Sequence, residues 1–162
     1  LHPFTGRIIL NSKFDIKKQR RQFVKQVNYA EAEPLYPSFL TAKDLVELYC
    51  ETKGGDIRQA LELLKQLRVL DAYDKTIGSY SSGMVKKLSL VLAFIGQPKV
   101  ILLDEPLITI DVSAVNTICN MINDSFKKGV SFIITSHQPL TSEQLAFTGT
   151  LLAENRTIHK NR

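Results

Sequence analysis

Two apolar runs constrain the fold of this chain more than any other feature. Residues 100–103 and 130–134 are dominated by aliphatic and aromatic side chains, and each run ends abruptly at polar residues. A helical pattern over residues 113–126 lies between them and is closed by Lys127, Lys128 and Gly129. Continuous apolar strands joined by a helix predict a parallel pair buried on both faces. The chain is therefore expected to be an α/β protein.

A helical period precedes this unit, from about residue 41 to residue 95. Thr41 to Asp44 has the form of a capping box, and Gly54-Gly55-Asp56 separates a first helix from a second one. Residues 79–83 form a turn that leads into a third helix. Strands are expected at residues 7–10 and 23–29, and a closing hairpin at residues 150–152 and 157–158.

Length and composition exclude several classes of protein. The chain has 162 residues, of which 44% are hydrophobic, so one well-packed domain is expected rather than disorder. No charge-free apolar run approaches the roughly 18 residues of a membrane span, and no secretory signal is visible. Cys50 and Cys119 are too few and too far apart for a disulfide framework. These features predict a soluble, cytoplasmic protein, and the lack of an initiator Met predicts that its start is cut.

Polar residues follow both strands of the βαβ unit, where parallel sheets bind their ligands. Asp104 and Glu105 follow the first strand, and Ser136 and His137 follow the second. One carboxylate can serve a hydrated Mg²⁺ while the other acts as a general base, and an imidazole can orient water or contact a phosphate. The alternative is that the acids merely begin a turn. Pro106 and the polar end of the second strand favour a functional site.

Small residues begin the third helix. Ser81, Ser82 and Gly83 would expose free backbone N–H groups at the positive end of the helix dipole, where anions bind. An ordinary helix cap explains the same residues, and the local pattern alone favours the cap.

The order and spacing of these segments resemble the ATP-binding cassette (ABC) ATPases. Tyr80-Ser81-Ser82-Gly83-Met84 is similar to the signature motif of that family, with Ser82 in place of Gly and Met84 in place of Gln. The other matches are the Walker B strand with its glutamate (residues 103–106), the D-loop (residues 107–111), the switch histidine His137, and Glu31 at the Q-loop position.

The resemblance implies a P-loop NTPase-like parallel sheet core with an inserted all-helical subdomain. The core would comprise residues 1–38 and 97–162, and residues 39–96 would form the helical subdomain that carries the signature motif. No G-x-x-x-x-G-K-[ST] phosphate loop occurs in the sequence. The resemblance places that loop before Leu1, so the chain alone is expected to be inactive.

The resemblance also implies roles for individual residues. ATP and Mg²⁺ are the expected cofactors. Ser81, Ser82 and Gly83 would bind the nucleotide of a partner cassette, and Asp104 and Glu31 would hold the metal. Glu105 would polarise the attacking water, His137 would hold the γ-phosphate, and Asp111 would couple the two sites.

The implied function is ATP hydrolysis that drives transport across a membrane. The expected partners are transmembrane permease subunits and a second ATP-binding cassette, identical or different, at the inner face of the cell membrane. One alternative is a cassette ATPase that acts on nucleic acid or the ribosome, which the basic residues 13–25 would suit. A solvated hairpin explains those residues better, so no nucleic acid is expected. The other alternative is a non-catalytic regulatory fragment.

Overall fold

The computed structural model describes residues 5–141 and 143–161. Over these residues the chain contains both strands and helices, as expected of an α/β protein, with two short 3₁₀ turns at Leu70–Ala72 and Ile77–Ser79. In chain order the elements are β1 (Ile9–Leu10), β2 (Phe14–Asp15), α1 (Arg20–Gln26), β3 (Val27–Ala30), α2 (Ala42–Lys53), α3 (Ile57–Gln66), α4 (Ser82–Phe94), β4 (Val100–Asp104), α5 (Val112–Lys127), β5 (Ser131–Thr135), β6 (Thr150–Glu154) and β7 (Thr157–Asn161).

The central sheet is parallel, in the order β3-β4-β5. The predicted βαβ unit is confirmed, because α5 connects the paired strands β4 and β5. The register aligns Tyr29 with Leu102 and Leu102 with Ile133, so these three side chains form a row on one face. The predicted closing hairpin is also confirmed, and β6 pairs with β7 in antiparallel fashion.

One face of the central sheet is buried and the other is open. Ile101 and Leu103 lie in the core together with the apolar residues of α4 and α5. On the opposite face, Tyr29 is 48% exposed and Ile133 is 60% exposed. The expectation of strands buried on both faces is therefore wrong for the described residues, because α4 and α5 both pack against the face that carries Ile101 and Leu103.

The helical region is confirmed, and its boundaries follow the capping residues. Thr41 Oγ1 accepts a hydrogen bond from Asp44 N, and Asp44 Oδ2 accepts one from Thr41 N at 2.8 Å, which completes the capping box of α2. Gly54 ends α2 at φ +68°, a left-handed conformation that glycine adopts without strain. Asp56 and Ser81 cap α3 and α4. Among the described residues, no helix has the length and apolarity to cross a membrane.

The first segment differs from the sequence-based expectation. Residues 20–26 are helical, and the strand expected from residue 23 begins only at Val27. Arg, Lys and Gln fill most positions of α1 and favour a helix, while Phe23 alone among its side chains is buried. The strand expected at residues 7–10 is reduced to Ile9–Leu10, which pairs with Phe14–Asp15.

Polar side chains attach the helical region to β3. Asn28 Nδ2 donates hydrogen bonds to the carbonyl oxygens of Ala93 (2.8 Å) and Ile95 (2.9 Å), at the end of α4. Lys53 Nζ donates to the carbonyl oxygens of Val24 (2.7 Å) and Val27 (3.0 Å). These bonds satisfy carbonyls that the ends of helices leave without a partner.

Candidate functional site

The carboxyl ends of the three parallel strands bring Tyr29, Asp104 and Thr135 together. Asp104 Oδ1 accepts a hydrogen bond from the Thr135 hydroxyl, and the Tyr29 hydroxyl lies 3.5 Å from Asp104 Oδ2. Burial raises the pKa of Tyr29, and the negative charge of Asp104 adds to that rise. The phenol therefore stays protonated and can donate to Asp104. The acid predicted as a metal ligand is thus fixed by two neighbouring hydroxyls.

Glu105 is the buried acid of this site, with 8% of its surface exposed. Its Oε1 accepts a hydrogen bond from His137 N at 2.7 Å and lies 3.5 Å from His137 Nε2. The backbone N–H of Glu105 donates to the Thr135 carbonyl at 3.2 Å. A carboxylate held in one orientation beside an imidazole is suited to accept a proton from water.

His137 presents its ring to solvent above Glu105, with 92% of the side chain exposed. The adjacent Ser136 belongs to the turn, since its hydroxyl donates to the Gln138 carbonyl at 2.8 Å. Of the two polar residues predicted after the second strand, His137 therefore joins the acids, and Ser136 shapes the loop.

Glu31 lies just beyond the end of β3 and is exposed. Its backbone carbonyl and that of Asp104 accept hydrogen bonds from the same ammonium group, that of Lys86, at 2.6 and 2.9 Å. Burial lowers the pKa of Lys86. The structure therefore joins the segments that carry the two predicted magnesium ligands.

These oxygen donors fit Mg²⁺. No cluster of three or more His, Cys, Asp or Glu side chains that could hold a metal occurs among residues 5–141 and 143–161. Magnesium does not require such a cluster, because it is usually bound through one or two carboxylates, several waters and the phosphates of a substrate. A carboxylate at the strand edge such as Asp104, with Glu31 on a segment held to it through Lys86, is compatible with such a donor set.

The signature segment forms a second, separate polar group. Ser81 caps α4 and accepts a hydrogen bond from Met84 N at 3.3 Å, while Ser81 and Ser82 are exposed. A Cβ at Gly83 would lie 3.1 Å from the Thr109 carbonyl oxygen, so glycine permits the close approach of the loop before α5. Within the described part of the chain, no hydrogen bond or ion pair joins Ser81 or Ser82 to Asp104, Glu105 or His137.

Asp111 is the N-cap of α5 and forms an ion pair with Lys87 of α4. It accepts hydrogen bonds from the Ser113 hydroxyl (2.6 Å) and from Ala114 N (3.0 Å). The Lys87 ammonium, followed by these two donors, holds the pKa of Asp111 well below its usual range. Asp111 thereby fastens the loop before α5 to the signature helix.

We expect Asp111 to make stability depend on pH in the acid range. Its depressed pKa stabilises the fold fully above the unfolded value of about 4, and this contribution is lost as pH falls toward the folded value. Asp111→Asn keeps the cap but removes the charge. Urea unfolding at pH 6 and pH 3 should therefore show a smaller pH effect in Asp111→Asn than in the wild type.

The matched control for this titration is Asp124→Asn, at an exposed acid near the end of α5 whose nearest lysine nitrogen lies 3.8 Å away. The control should keep the pH dependence of the wild type. An equal pH dependence in wild type and Asp111→Asn would contradict the role of the Lys87 pair.

Four residues of these two groups were missed by sequence reasoning: Tyr29, Thr135, Lys86 and Lys87. Thr135 directly follows the second apolar run, so the register of adjacent strand ends was the signal that could have placed it beside Asp104. No sequence signal indicated Tyr29 or the burial of Lys86.

A family profile described as "ABC transporter" matches residues 1–108. The human protein "ATP-binding cassette sub-family A member 2" is 34% identical over 157 residues, covering 94% of this chain and 6% of that protein. "ABC transporter A family member 4" of Dictyostelium discoideum is 30% identical over 141 residues, covering 85% of this chain and 9% of that protein. The chain thus spans less than a tenth of the length of both relatives.

Solved structures share the fold. An ATP-binding subunit of an ABC transporter superposes with a TM-score of 0.74 at 22% identity, covering 78% of this chain and 54% of that one. A dimeric ATP-binding cassette described as a post-hydrolysis state bound to ADP and Pi gives a TM-score of 0.71 at 18% identity, over 84% of this chain and 64% of that one.

The fold is therefore that of a P-loop NTPase of the ABC ATPase type, which confirms the fold class. The chain belongs to the ABC transporter family, as its resemblance implied. Members of this family bind and hydrolyse ATP.

Proposed function

We propose that this chain forms the catalytic edge and signature helix of an ATPase domain that powers transport across a membrane. The observation that carries the proposal is Glu105, a buried carboxylate held by His137 N and facing the exposed imidazole. Glu105 accepts a proton from the water that attacks the γ-phosphate of ATP, and His137 contacts that phosphate. Asp104 and Glu31 would hold Mg²⁺, which would supply positive charge to offset that of the phosphates.

Two such domains would pair to form complete sites. Ser81, Ser82 and Gly83 lie at the start of a long helix, and the two serines are exposed, so their N–H groups and hydroxyls can meet the nucleotide of a second cassette. Asp111 couples the sites through the loop that contacts Gly83. The dimeric cassette among the structural neighbours supports this arrangement.

The proposed organisation is an ATPase core of residues 1–38 and 97–162 with a helical subdomain of residues 39–96. A cavity of about 240 Å³ lies between them, lined in part by Glu31, Tyr36, Tyr49 and Ser89. Leu35 and Phe39 are exposed on the loop that follows Glu31. This apolar loop beside the cavity is where the transmembrane permease subunits dock, at the cytoplasmic face of the membrane.

The molecules that co-purify with the protein distinguish a function in transport from a function on nucleic acid. A tagged protein purified from detergent-solubilised membranes should carry a polytopic membrane polypeptide, either as a subunit or as part of its own chain. RNA or DNA that is released by salt, without any membrane polypeptide, would instead favour the alternative suggested by the basic residues 13–25. The chain alone, which has no G-x-x-x-x-G-K-[ST] segment, should show no hydrolysis.

A further inference from the structure

Lys86 is the largest side chain among the fully buried residues of the described chain, with 1% of its surface exposed. Lysine is almost never buried to this degree unless its charge is paired. The residue lies in α4, one turn after the start of the signature helix. Its ammonium must therefore have a specific set of partners.

Three backbone carbonyls supply those partners. Lys86 Nζ donates to the carbonyl oxygens of Glu31 at 2.6 Å, Ala32 at 3.0 Å and Asp104 at 2.9 Å. A lysine ammonium has three donors, so all of them are used. Two of the carbonyls belong to the loop after β3, and the third ends β4.

The consequence is a single junction between three functional segments. The signature helix carries the lysine, the loop after β3 carries Glu31, and the end of β4 carries Asp104 and leads into Glu105. Charge-assisted hydrogen bonds are stronger than neutral ones, and here they act on backbone atoms. A displacement of any one segment therefore strains its bond to the shared ammonium.

We propose that Lys86 is a positioning residue for ATP hydrolysis, whose ammonium fixes the backbone of Glu31 and Asp104 relative to the signature helix. This inference rests on the proposed function, in which those two residues hold Mg²⁺ and Glu105 accepts the proton. The three donors of the Lys86 ammonium are used by backbone carbonyls, so the residue acts through the segments that carry the acids. Its loss should misalign the acids, and misplacements of about 1 Å can cost about 100-fold in rate.

Lys53 provides a matched comparison within the same chain. Its ammonium also donates to two backbone carbonyls, those of Val24 and Val27, and it also links the helical region to the β3 segment. These carbonyls lie at the opposite end of β3 from Glu31. Lys53 is half-buried, whereas Lys86 is buried. The structural effect of removing an ammonium that bonds to backbone carbonyls should still be common to Lys53 and Lys86, whereas an effect on alignment should be specific to Lys86.

The test measures steady-state ATP hydrolysis by the intact ATPase with Lys86→Met, Lys86→Arg, Lys53→Met and Glu105→Gln. Methionine fills the space of lysine without its donors, and Lys86→Gln takes its place if the Met variant does not fold. We expect Lys86→Met to lower kcat about 10- to 100-fold with the KM for ATP changed about twofold or less. Lys86→Arg, which keeps the charge and the donors, should recover part of kcat, and Lys53→Met should keep kcat within about twofold.

The outcomes separate this inference from the proposed function. Normal kcat in the Lys86 variants, or an equal loss in Lys53→Met, would overturn the positioning role while the loss of hydrolysis in Glu105→Gln still supports the ATPase. Undiminished hydrolysis in Glu105→Gln would overturn both. A rise in KM with unchanged kcat would assign Lys86 to nucleotide binding and so also overturn positioning.

Discussion

Replacing Glu105 with Gln should reduce ATP hydrolysis by the intact protein about 100- to 10,000-fold, the usual contribution of a general base. The amide matches the carboxylate in size and can still accept the hydrogen bond from His137 N, but it cannot take a proton from water. ATP binding should persist, so the nucleotide becomes trapped. Phosphate release measures turnover, and retention of labelled ATP on the purified variant measures trapping.

Glu62→Gln is the control for this substitution, since Glu62 is an exposed acid on α3, outside the candidate site. It should hydrolyse ATP at the wild-type rate. Hydrolysis by Glu105→Gln at a rate close to wild type would contradict the assignment of Glu105 as the base.

Replacing Asn28 with Ala should lower the free energy of unfolding of the chain by about 2–4 kcal/mol, because two buried carbonyls lose their hydrogen bonds. Asn28 is 2% exposed, and its Nδ2 is the donor to the carbonyls of Ala93 and Ile95. Water cannot easily reach these carbonyls at the end of α4. Urea unfolding followed by circular dichroism measures the loss.

Asn120→Ala serves as the comparison, since Asn120 is exposed on α5 and should change stability by about 0.5 kcal/mol or less. A similar small change in both variants would show that the attachment of α4 to β3 does not depend on Asn28.

The sequence predicted correctly the strands and helices in which apolar residues form a continuous run or recur at helical spacing. The apolar run of residues 100–103 lies in β4, and the run of residues 130–134 lies mostly in β5. The capping box at Thr41 begins α2. In each case the local pattern and the tertiary environment favour the same structure, so the sequence signal is strong.

The errors arose where tertiary contacts decide the outcome. The aromatic residues Phe23 and Tyr29 suggested one strand, but Phe23 packs inward from a helix and Tyr29 stands on the open face of the sheet. The period of a strand also does not reveal whether another element covers each face. Residues 100–103 are apolar throughout, yet only one side of β4 is fully buried.

The acids of the candidate site could be predicted from the sequence, but the residues that hold them in place could not. Asp104, Glu105 and His137 follow apolar strands, so sheet topology alone brings them to one edge. Lys86 lies in a helix between ordinary surface and core positions, and composition predicts an exposed lysine there. Its burial depends on three backbone carbonyls from two distant segments, which no local pattern encodes.

Glu105 also adopts a backbone conformation with φ +45°, in the left-handed region that few residues other than glycine or asparagine tolerate. A glutamate held in this conformation is strained, and the surrounding hydrogen bonds have to offset that cost. Selection for stability alone would favour glycine at this position, whereas the proposed role of Glu105 in hydrolysis requires the carboxylate. The position is thus a point of conflict between stability and activity, and a lineage freed from the need for hydrolysis would be expected to lose its glutamate early.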